Sequence, residues 1–454
     1  MTGKKTKGSP AESAAGGLLI RGGWVVTMDA SDTVGRLDVR IADGRIVEIG
    51  EKLKARGVAR LIDAKGVVVM PGLVQAHVHL CQSLFRAQAE DVDLLTWLRE
   101  RIWPLEGALE ARDMRAAVGL GLTELLLGGT TCILDMGTVR HGDIPFEEAK
   151  RFGIRFTGGK AIMDQGQGYP AGLRETTDEA IEESVRLCDA WHGAADGRLR
   201  YAFSPRFALS CSKEAIRRCV EEARRRGALL HTHAAENSEE VALVRERTQL
   251  GNIEYLHSLG FTGEDVLLAH CIWISVQERR LLRETKTRVI HCPSANLKLG
   301  SGIARIAEML DDEIMIALGA DGVACNNTLD GFFEMRLAAL LHRARGGPQA
   351  MSAKTALRLA TRGGALALGL TDVGSIEVGH QADLTLLDFH RPHVWPNLGD
   401  LHSRIVFSAR SADVQTVIVG GKTLVDSGEL CTGDLAKVLK SAQSAAERVT
   451  ARVD

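Results

Sequence analysis

The chain has 454 residues, a length that exceeds one small domain and suits a barrel with a smaller module. Hydrophobic residues make up 45% and charged residues 25%, and the formal net charge is -2. This near-neutral balance disfavours nucleic acid as a partner, and no run approaches the ~20 apolar residues of a membrane helix. Nine cysteines without a C-x-x-C pair predict reduced core thiols and a cytoplasmic location.

The two ends of the chain have the same β-rich texture. Residues 1–17 are small and polar and predict a disordered tail. Residues 18–71 contain short apolar runs broken by Gly and Asp-Gly turns, and the same pattern returns in residues 370–454. We therefore expect both termini to build one small β-sandwich domain.

The middle of the chain, residues 72–369, alternates apolar strand-like runs with amphipathic helical patterns. Eight runs recur at a spacing of roughly 35 residues, which predicts a (β/α)8 barrel. A doubly wound open sheet is the alternative, but it would not gather residues from so many strand ends onto one site. The eight runs are LVQAHVHL, GTTCILDM, IRFTGGKAI, LRYAFSP, ALLHTHA, VLLAHC, RVIHC and IMIALGAD.

Histidines and one aspartate stand at the ends of these predicted strands. His77 and His79 are two residues apart and so point to the same side of the first strand. His233 ends the fifth strand, His270 the sixth and Asp321 the eighth. In a closed barrel the carboxyl ends of the strands converge on one rim, so we expect these side chains to lie together.

Three imidazoles and one carboxylate make a suitable ligand set for one divalent ion. His77, His79, His233 and Asp321 predict a site for Zn2+, with Fe2+ or Mn2+ as alternatives. The predicted fourth strand ends without a lysine, which disfavours a pair of ions bridged by a carbamylated lysine. A bound ion would lower the pKa of a coordinated water.

A proton-transfer group also stands near the predicted ligands. Glu236 follows His233 by three residues and can reach the same pocket, where a carboxylic acid can protonate a ring nitrogen and the leaving ammonia. His270 and Asp321 would orient and deprotonate the water. The residues therefore predict a hydrolase that removes an amino group from a nitrogen heterocycle.

The chain resembles the amidohydrolase superfamily over essentially its whole length, through PGLVQAHVHL, HTHAAE, LAHC and GADG. The longer stretches CQSLFRAQAEDVDLLTWLRERIWPLE, NLKLGSGIA and DGVACNNTLDGFFEMR resemble its branch of methylthioadenosine, S-adenosylhomocysteine and 5'-deoxyadenosine deaminases and triazine hydrolases. The resemblance implies the same ligands and proton-transfer residues. It further implies attack of water at C6 of an adenosine-type nucleoside, giving the inosine analogue and ammonia.

The resemblance also implies substrate contacts, and here the pattern is mixed. Glu106 matches a carboxylate that binds ribose hydroxyls, and Arg174 matches an arginine that holds the 5'-substituent. Lys160 stands where some relatives have an arginine. Gln82 and Arg206 instead resemble residues of guanine deaminases that grip a purine carbonyl.

Several functions therefore stay open at the level of sequence. A free-base deaminase for guanine or a pterin is the main alternative to the nucleoside deaminase, and an s-triazine aminohydrolase or chlorohydrolase is a third. The presence of Asp321 favours deamination over dechlorination. A non-catalytic scaffold is disfavoured because every predicted ligand is retained. We expect a small molecule as the substrate. By analogy with other barrels we also expect the chain to form a homo-oligomer.

Overall fold

The computed structural model describes residues 17–166 and 168–453. All but the last residue of the predicted tail, residues 1–17, therefore lies outside the described residues. The N-terminal strands are β1 (Leu18–Val26), β2 (Val34–Ala42), β3 (Arg45–Gly50), β4 (Arg60–Asp63) and β5 (Val67–Pro71). Asp43 and Gly44 form the two-residue turn between β2 and β3, and both have the positive φ that such hairpin turns need (48° and 77°).

The middle of the chain forms a barrel of eight parallel strands. They are β6 (Leu73–Val78), β7 (Thr130–Asp135), β8 (Arg155–Gly158), β10 (Leu199–Pro205), β11 (Leu229–Ala234), β12 (Val266–His270), β13 (Arg288–His291) and β14 (Ile316–Leu318), and the short β9 (Ala161–Ile162) continues β8 alongside β10. The sheet order follows the chain from β6 to β14. Asp321 closes the ring, since it bridges in parallel to Val78 and its N–H donates to the carbonyl of His77 at 3.0 Å. The predicted (β/α)8 barrel is confirmed, and this closure excludes the open sheet.

Strands from both termini form the second sheet. Its C-terminal strands are β15 (Leu384–Asp388), β16 (Val414–Val419), β17 (Lys422–Asp426) and β18 (Glu429–Leu430). The two ends join where β15 pairs antiparallel with β5. Ile20 and Val69 from the N-terminal part and Leu384 and Ile418 from the C-terminal part lie in one buried cluster. The two termini therefore share one core, as the sequence predicts.

Helices cover the barrel and connect the strands. The helices are α1 (Leu94–Trp97), α2 (Trp103–Gly107), α3 (Ala111–Leu127), α4 (Asp143–Phe152), α5 (Thr177–Trp191), α6 (Lys213–Arg226), α7 (Ser238–Thr248), α8 (Asn252–Ser258), α9 (Val276–Thr285), α10 (Pro293–Lys298), α11 (Ile306–Asp311), α12 (Val323–Asn326), α13 (Gly331–Gly346), α14 (Ala353–Leu359), α15 (Arg362–Ala367), α16 (Leu401–Phe407) and α17 (Leu435–Thr450). A π-helical turn, Leu98–Ile102, joins α1 to α2. Short 3-10 turns occupy Leu80–Leu84, Ala171–Leu173, Pro392–Val394 and Ser411–Asp413. Among the described residues, no helix has both the length and the apolar character needed to cross a membrane.

The C-terminal helix differs from the predicted texture of residues 370–454. Its apolar residues recur at helical rather than strand spacing, with Ala442, Ala445 and Val449 buried on one face. This face packs α17 against α3 of the barrel, where Arg448 Nη2 lies 2.6 Å from the buried Asp113 carboxylate. The last helix therefore covers the barrel instead of extending the sheet. The boundaries 18–71, 72–369 and 370–454 stay predictions.

Candidate active site

The predicted site residues meet at the carboxyl ends of the barrel strands. β6 carries His77 and leads directly into His79, β11 carries His233, and β12 ends at His270. Asp321 lies three residues after β14. His270 and Asp321 both have positive φ (76° and 64°), which is uncommon for residues other than glycine and is concentrated at functional sites.

Four of these side chains form one compact cluster. The ligand atoms of His77, His79, His233 and Asp321 all lie within 4.8 Å of one another. Asp321 Oδ1 is 3.3 Å from Nε2 of both His77 and His79, and His79 Nε2 is 3.1 Å from His233 Nε2. Residues more than 240 positions apart in the chain thus surround one point, as the strand-end argument predicts.

Neighbouring atoms determine which ring nitrogens carry protons. His231 Nδ1 lies 3.0 Å from the carbonyl of Leu267, which can only accept, so His231 Nε2 presents a lone pair. That lone pair accepts from His77 Nδ1 at 2.8 Å, so His77 Nε2 also presents a lone pair, and this one faces Asp321. His233 Nδ1 similarly donates to the carbonyl of Arg206 at 2.6 Å, which leaves its Nε2 lone pair directed into the cluster.

The imidazoles of the cluster are neutral. Burial lowers the pKa of His77, and it holds the pKa of His79 and His233 well below the usual value, with the neighbouring histidines adding to the shift. Neutral imidazole nitrogens and a carboxylate oxygen are the donors that a divalent ion of borderline softness prefers. A cation between His77 Nε2 and Asp321 Oδ1 would also relieve the repulsion between their lone pairs.

Glu236 and His270 lie beside this cluster. His270 Nε2 is 3.4 Å from Glu236 Oε2 and 3.9 Å from Asp321 Oδ2. His270 Nδ1 donates to Asn296 Oδ1 at 2.8 Å, so its Nε2 is free to accept a proton. Burial, together with the charges of Asp321 and Glu240, raises the pKa of Glu236 well above its usual value. The protonated form of Glu236 is therefore favoured more than that of an exposed glutamate.

A cavity opens onto the cluster from the side of α1. Its polar lining consists of His79, Gln82, Arg206, His233, Glu236, Glu240 and Asp321, together with the thiol of Cys325. Its apolar lining consists of Leu94, Trp97, Leu98, Phe207 and Leu299. The cavity thus presents polar groups at the cluster and apolar side chains towards the π-helical turn.

The predicted ribose-binding carboxylate is engaged by other residues of the chain. Arg206 contacts both oxygens of Glu106, with Nη2 at 3.1 Å from Oε1. Gln82 Nε2 donates to the same Oε1 at 3.0 Å. Glu106 is buried and absent from the cavity lining, whereas Gln82 and Arg206 line the cavity. The structure therefore places Glu106 behind Arg206.

The other two positions lie outside the cavity lining. Arg174 is exposed, and its Nε donates to the carbonyl of Tyr169 at 3.1 Å. Lys160 is buried between β8 and β9 and forms an ion pair with Glu175, which also accepts the N–H of Met163 at 3.1 Å. Through this ion pair Lys160 stabilises the loop that carries Arg174, because Glu175 directly follows Arg174.

Comparison with known proteins agrees with this geometry. The family model described as the amidohydrolase family matches residues 68–424. The chain belongs to the amidohydrolase family. A 5'-deoxyadenosine deaminase from Methanosarcina acetivorans is 39% identical over 439 residues, covering 96% of this chain and 99% of the relative. A 5-methylthioadenosine/S-adenosylhomocysteine deaminase from Pelotomaculum thermopropionicum is 37% identical, with the same coverage.

A solved deaminase structure also matches over nearly the whole chain. The structure of an adenosine deaminase from Xanthomonas campestris with bound zinc has a TM-score of 0.90 and 32% identity, and the match covers 96% of this chain and 98% of that one. The predicted family and its deaminase branch are confirmed, and so is the prediction of a hydrolytic aminohydrolase.

Sequence reasoning missed two residues that orient the amidohydrolase site. His231 stands two residues before His233, so the two-residue period of a strand places both side chains on one side, the same signal that marks His77 and His79. Asn296 lies within NLKLGSGIA, a stretch noted only for its resemblance. No local pattern distinguishes its contact with His270, because the two residues are 26 positions apart.

Proposed function

We propose that this amidohydrolase is a metal-dependent hydrolytic deaminase of adenosine-type nucleosides, such as 5'-deoxyadenosine, 5'-methylthioadenosine and S-adenosylhomocysteine. The products would be the inosine analogue and ammonia. The observation that carries the proposal is the 39% identity to a 5'-deoxyadenosine deaminase over 96% of the chain. The cluster of imidazoles, Asp321 and a protonated Glu236 supports the same chemistry.

We assign His77, His79, His233 and Asp321 to one divalent ion. The fit rests on the His77 Nε2 lone pair, which faces Asp321 Oδ1 at 3.3 Å with no proton between them. Three nitrogen donors and one oxygen donor favour Zn2+, with Fe2+ and Mn2+ as alternatives. Once bound, the ion supplies the Lewis acidity that makes water nucleophilic at neutral pH.

The protein groups that move protons are Glu236 and His270. Glu236 donates its carboxyl proton to the ring nitrogen next to the amino-bearing carbon, which makes that carbon more electrophilic. His270 Nε2 accepts a proton from the attacking water, because Asn296 keeps the other ring nitrogen protonated. Glu236, once ionised, carries the proton of the newly added hydroxyl to the departing amino group. The proton held by His270 then restores the Glu236 acid, since His270 Nε2 lies 3.4 Å from Glu236 Oε2. Asp321 Oδ2 lies 3.9 Å from His270 Nε2, and together the two residues orient and deprotonate the water.

We propose that the apolar wall of the cavity contacts the 5'-substituent. Leu94, Trp97 and Leu98 line the side of the cavity formed by α1 and the π-helical turn. A 5'-methyl or 5'-methylthio group suits such a surface. Arg174 lies outside the lining, so this assignment gives it no substrate contact. Glu106 instead holds Arg206 in place, and Arg206 and Gln82 line the cavity beside the cluster.

A second candidate function is a free-base deaminase for guanine or a pterin. It is favoured by Arg206, which lines the cavity while Glu106 lies behind it. The N–H groups of a guanidinium suit a ring carbonyl better than an amino edge, which has no strong acceptor oxygen.

Ammonia release separates the two candidates. Zinc-loaded protein would be assayed with 5'-deoxyadenosine, 5'-methylthioadenosine, S-adenosylhomocysteine, guanine, a pterin and an aminotriazine. We expect the highest kcat/KM on a 5'-deoxy or 5'-methylthio nucleoside. Turnover of guanine or the pterin without turnover of any nucleoside would replace the first proposal by the second. The cytoplasmic location and the homo-oligomeric state stay predictions.

A further inference from the structure

A buried carboxylate behind the site, Glu334, is hydrogen-bonded to two segments that carry proposed proton-transfer machinery. It lies in the first turn of α13 and is 1% exposed. Its Oε2 accepts the N–H of Ser294 at 3.2 Å. Its Oε1 accepts the Ser294 hydroxyl and Asn326 Nδ2, the latter at 2.9 Å. One side chain therefore links α10 to α12.

The first link leads to His270. Ser294 lies in the first turn of α10, and Asn296 follows it two residues later. Asn296 Oδ1 accepts from His270 Nδ1 at 2.8 Å. Because α10 has only six residues, its position depends strongly on the contacts at its first turn. Holding Ser294 therefore places the acceptor that orients the His270 ring.

The second link leads to Asp321. Asn326 Nδ2 also donates to the carbonyl of Ala320 at 2.7 Å, and Ala320 directly precedes Asp321. The N–H of Ala320 donates to Gln75 Oε1 at 3.1 Å. Both backbone polar groups of Ala320 are thus hydrogen-bonded to side chains, the N–H to the buried Gln75 and the carbonyl to the half-buried Asn326, which Glu334 contacts in turn.

We propose that Glu334 is a positioning residue that sets the distance between His270 and Asp321, and through it the rate of proton transfer. The inference rests on the proposed function. The two groups lie 3.9 Å apart, and proton transfer through a water or substrate depends on such distances to within a few tenths of an ångström. Because the Glu334 carboxylate contacts both α10 and α12, it keeps the distance between these two helices constant.

The variant Glu334→Gln tests this link with little change in volume. Ser294 N–H and Asn326 Nδ2 can only donate, so an amide nitrogen facing either of them breaks a contact and displaces its segment. We expect kcat to fall by roughly 10- to 100-fold, the usual effect of removing a group that supports a metal-site residue. KM should change less than about threefold and zinc content should not change, because no ligand or cavity-lining residue is altered.

Glu278→Gln is the matched control. Glu278 is also buried, and its carboxylate accepts the N–H groups of Ser275 at 2.8 Å and Ile253 at 2.9 Å, outside the cavity lining. It should lower thermal stability as Glu334→Gln does while leaving kcat near the wild-type value. Equal losses of kcat in both variants would mean that Glu334 acts only through stability, and would overturn the proposal.

A spectroscopic readout tests the inference without turnover. In zinc-loaded protein with 15N-labelled histidine, the wild-type His270 ring should show a protonated, hydrogen-bonded Nδ1, assigned by its absence in His270→Asn. Glu334→Gln should shift that signal or mix in the other tautomer, and Glu278→Gln should not. An unchanged His270 signal would overturn the positioning role even if no nucleoside proved to be a substrate. Loss of the proposed function alone would leave the shift intact.

Discussion

Single neighbouring atoms decide the chemistry of the residues at this site. His77 can offer its Nε2 lone pair because His231 accepts from its Nδ1, and His231 can do so because the carbonyl of Leu267 takes its own proton. His270 depends in the same way on Asn296. The tautomers of His77 and His270 are therefore set by His231 and Asn296, which belong neither to the proposed ligand set nor to the cavity lining.

The proposed role of Glu236 as proton donor predicts the effect of replacing its carboxyl group by an amide. Glu236→Gln should lower kcat by about 100- to 10,000-fold, because the amide cannot deliver a proton to the ring nitrogen. Zinc content measured by elemental analysis should stay at the wild-type level. The control is Glu239→Gln, which changes an exposed glutamate three residues along the chain and should leave kcat unchanged. Substantial activity in Glu236→Gln would remove Glu236 from the mechanism.

Glu334 predicts a pH dependence of stability. Burial raises the pKa of its carboxyl group to about 7, well above the usual value for glutamate, so the folded protein holds the proton more tightly than the unfolded chain. The resulting stabilisation is complete below about pH 4.5 and is lost as the pH rises through about 7, a change of about 3 kcal/mol. Denaturant titrations between pH 5 and 8 should show a flatter profile for Glu334→Gln than for the wild type. Parallel profiles would contradict the raised pKa.

At the scale of elements, one short helical segment supplies both the apolar lining of the cavity and the carboxylate that holds Arg206. α1 and the following π-helical turn bring Leu94, Trp97 and Leu98 to the cavity, and α2 then places Glu106 behind Arg206. A π-helical turn shifts the register of a helix by one residue and is frequent at functional sites. Here it lies between the apolar lining and the buried carboxylate.

Truncation of this wall should affect binding rather than turnover. Leu98→Ala should raise KM for 5'-methylthioadenosine about tenfold with kcat within about twofold, because an apolar contact of this size contributes about 1–3 kcal/mol. 5'-Deoxyadenosine, which lacks the methylthio group, should be affected less. Arg174→Gln, outside the cavity, should leave both KM values unchanged. Equal KM values for wild type and Leu98→Ala would place the 5'-substituent elsewhere.

At the scale of the whole molecule, a buried ion pair attaches the terminal sheet to the barrel. Arg155 at the start of β8 donates to Asp383 just before β15, with Nε at 2.7 Å and Nη2 at 3.2 Å. Asp383 Oδ1 also accepts the N–H of Gly420 in the turn between β16 and β17. Both charged side chains are buried, so each depends on the other for compensation.

Removing one partner of this pair should destabilise the protein. Asp383→Asn leaves the Arg155 cation buried without a counter-charge and should lower the free energy of unfolding by about 3–5 kcal/mol. Asp372→Asn, which removes the partner of the exposed Arg45, should cost less than about 1 kcal/mol. Denaturant titration of the three proteins measures both effects. Equal decreases in the free energy of unfolding of the two variants would show that the buried ion pair contributes no more to stability than the exposed one.

The sequence alone determined the barrel and the residues that cluster at its rim. Strand-like runs at a regular spacing indicate parallel strands. Parallel strands in a closed barrel bring their carboxyl ends together, so the sequence alone places His77, His233 and Asp321 on one rim. The same reasoning gave the terminal sheet, whose strands are short and separated by turns. Local periodicity carries this information, because burial in regular elements repeats every two or 3.6 residues.

Only the tertiary structure decided how the substrate region is built. Arg206 and Glu106 are 100 positions apart, and their pairing, which removes Glu106 from the cavity lining, leaves no trace in either local pattern. The support of His270 by Asn296 and of both segments by Glu334 is equally non-local. The last helix, α17, packs on the barrel because its apolar face contacts α3. Pairings between distant side chains follow from where whole elements come to rest, and residue spacing along the chain does not encode that.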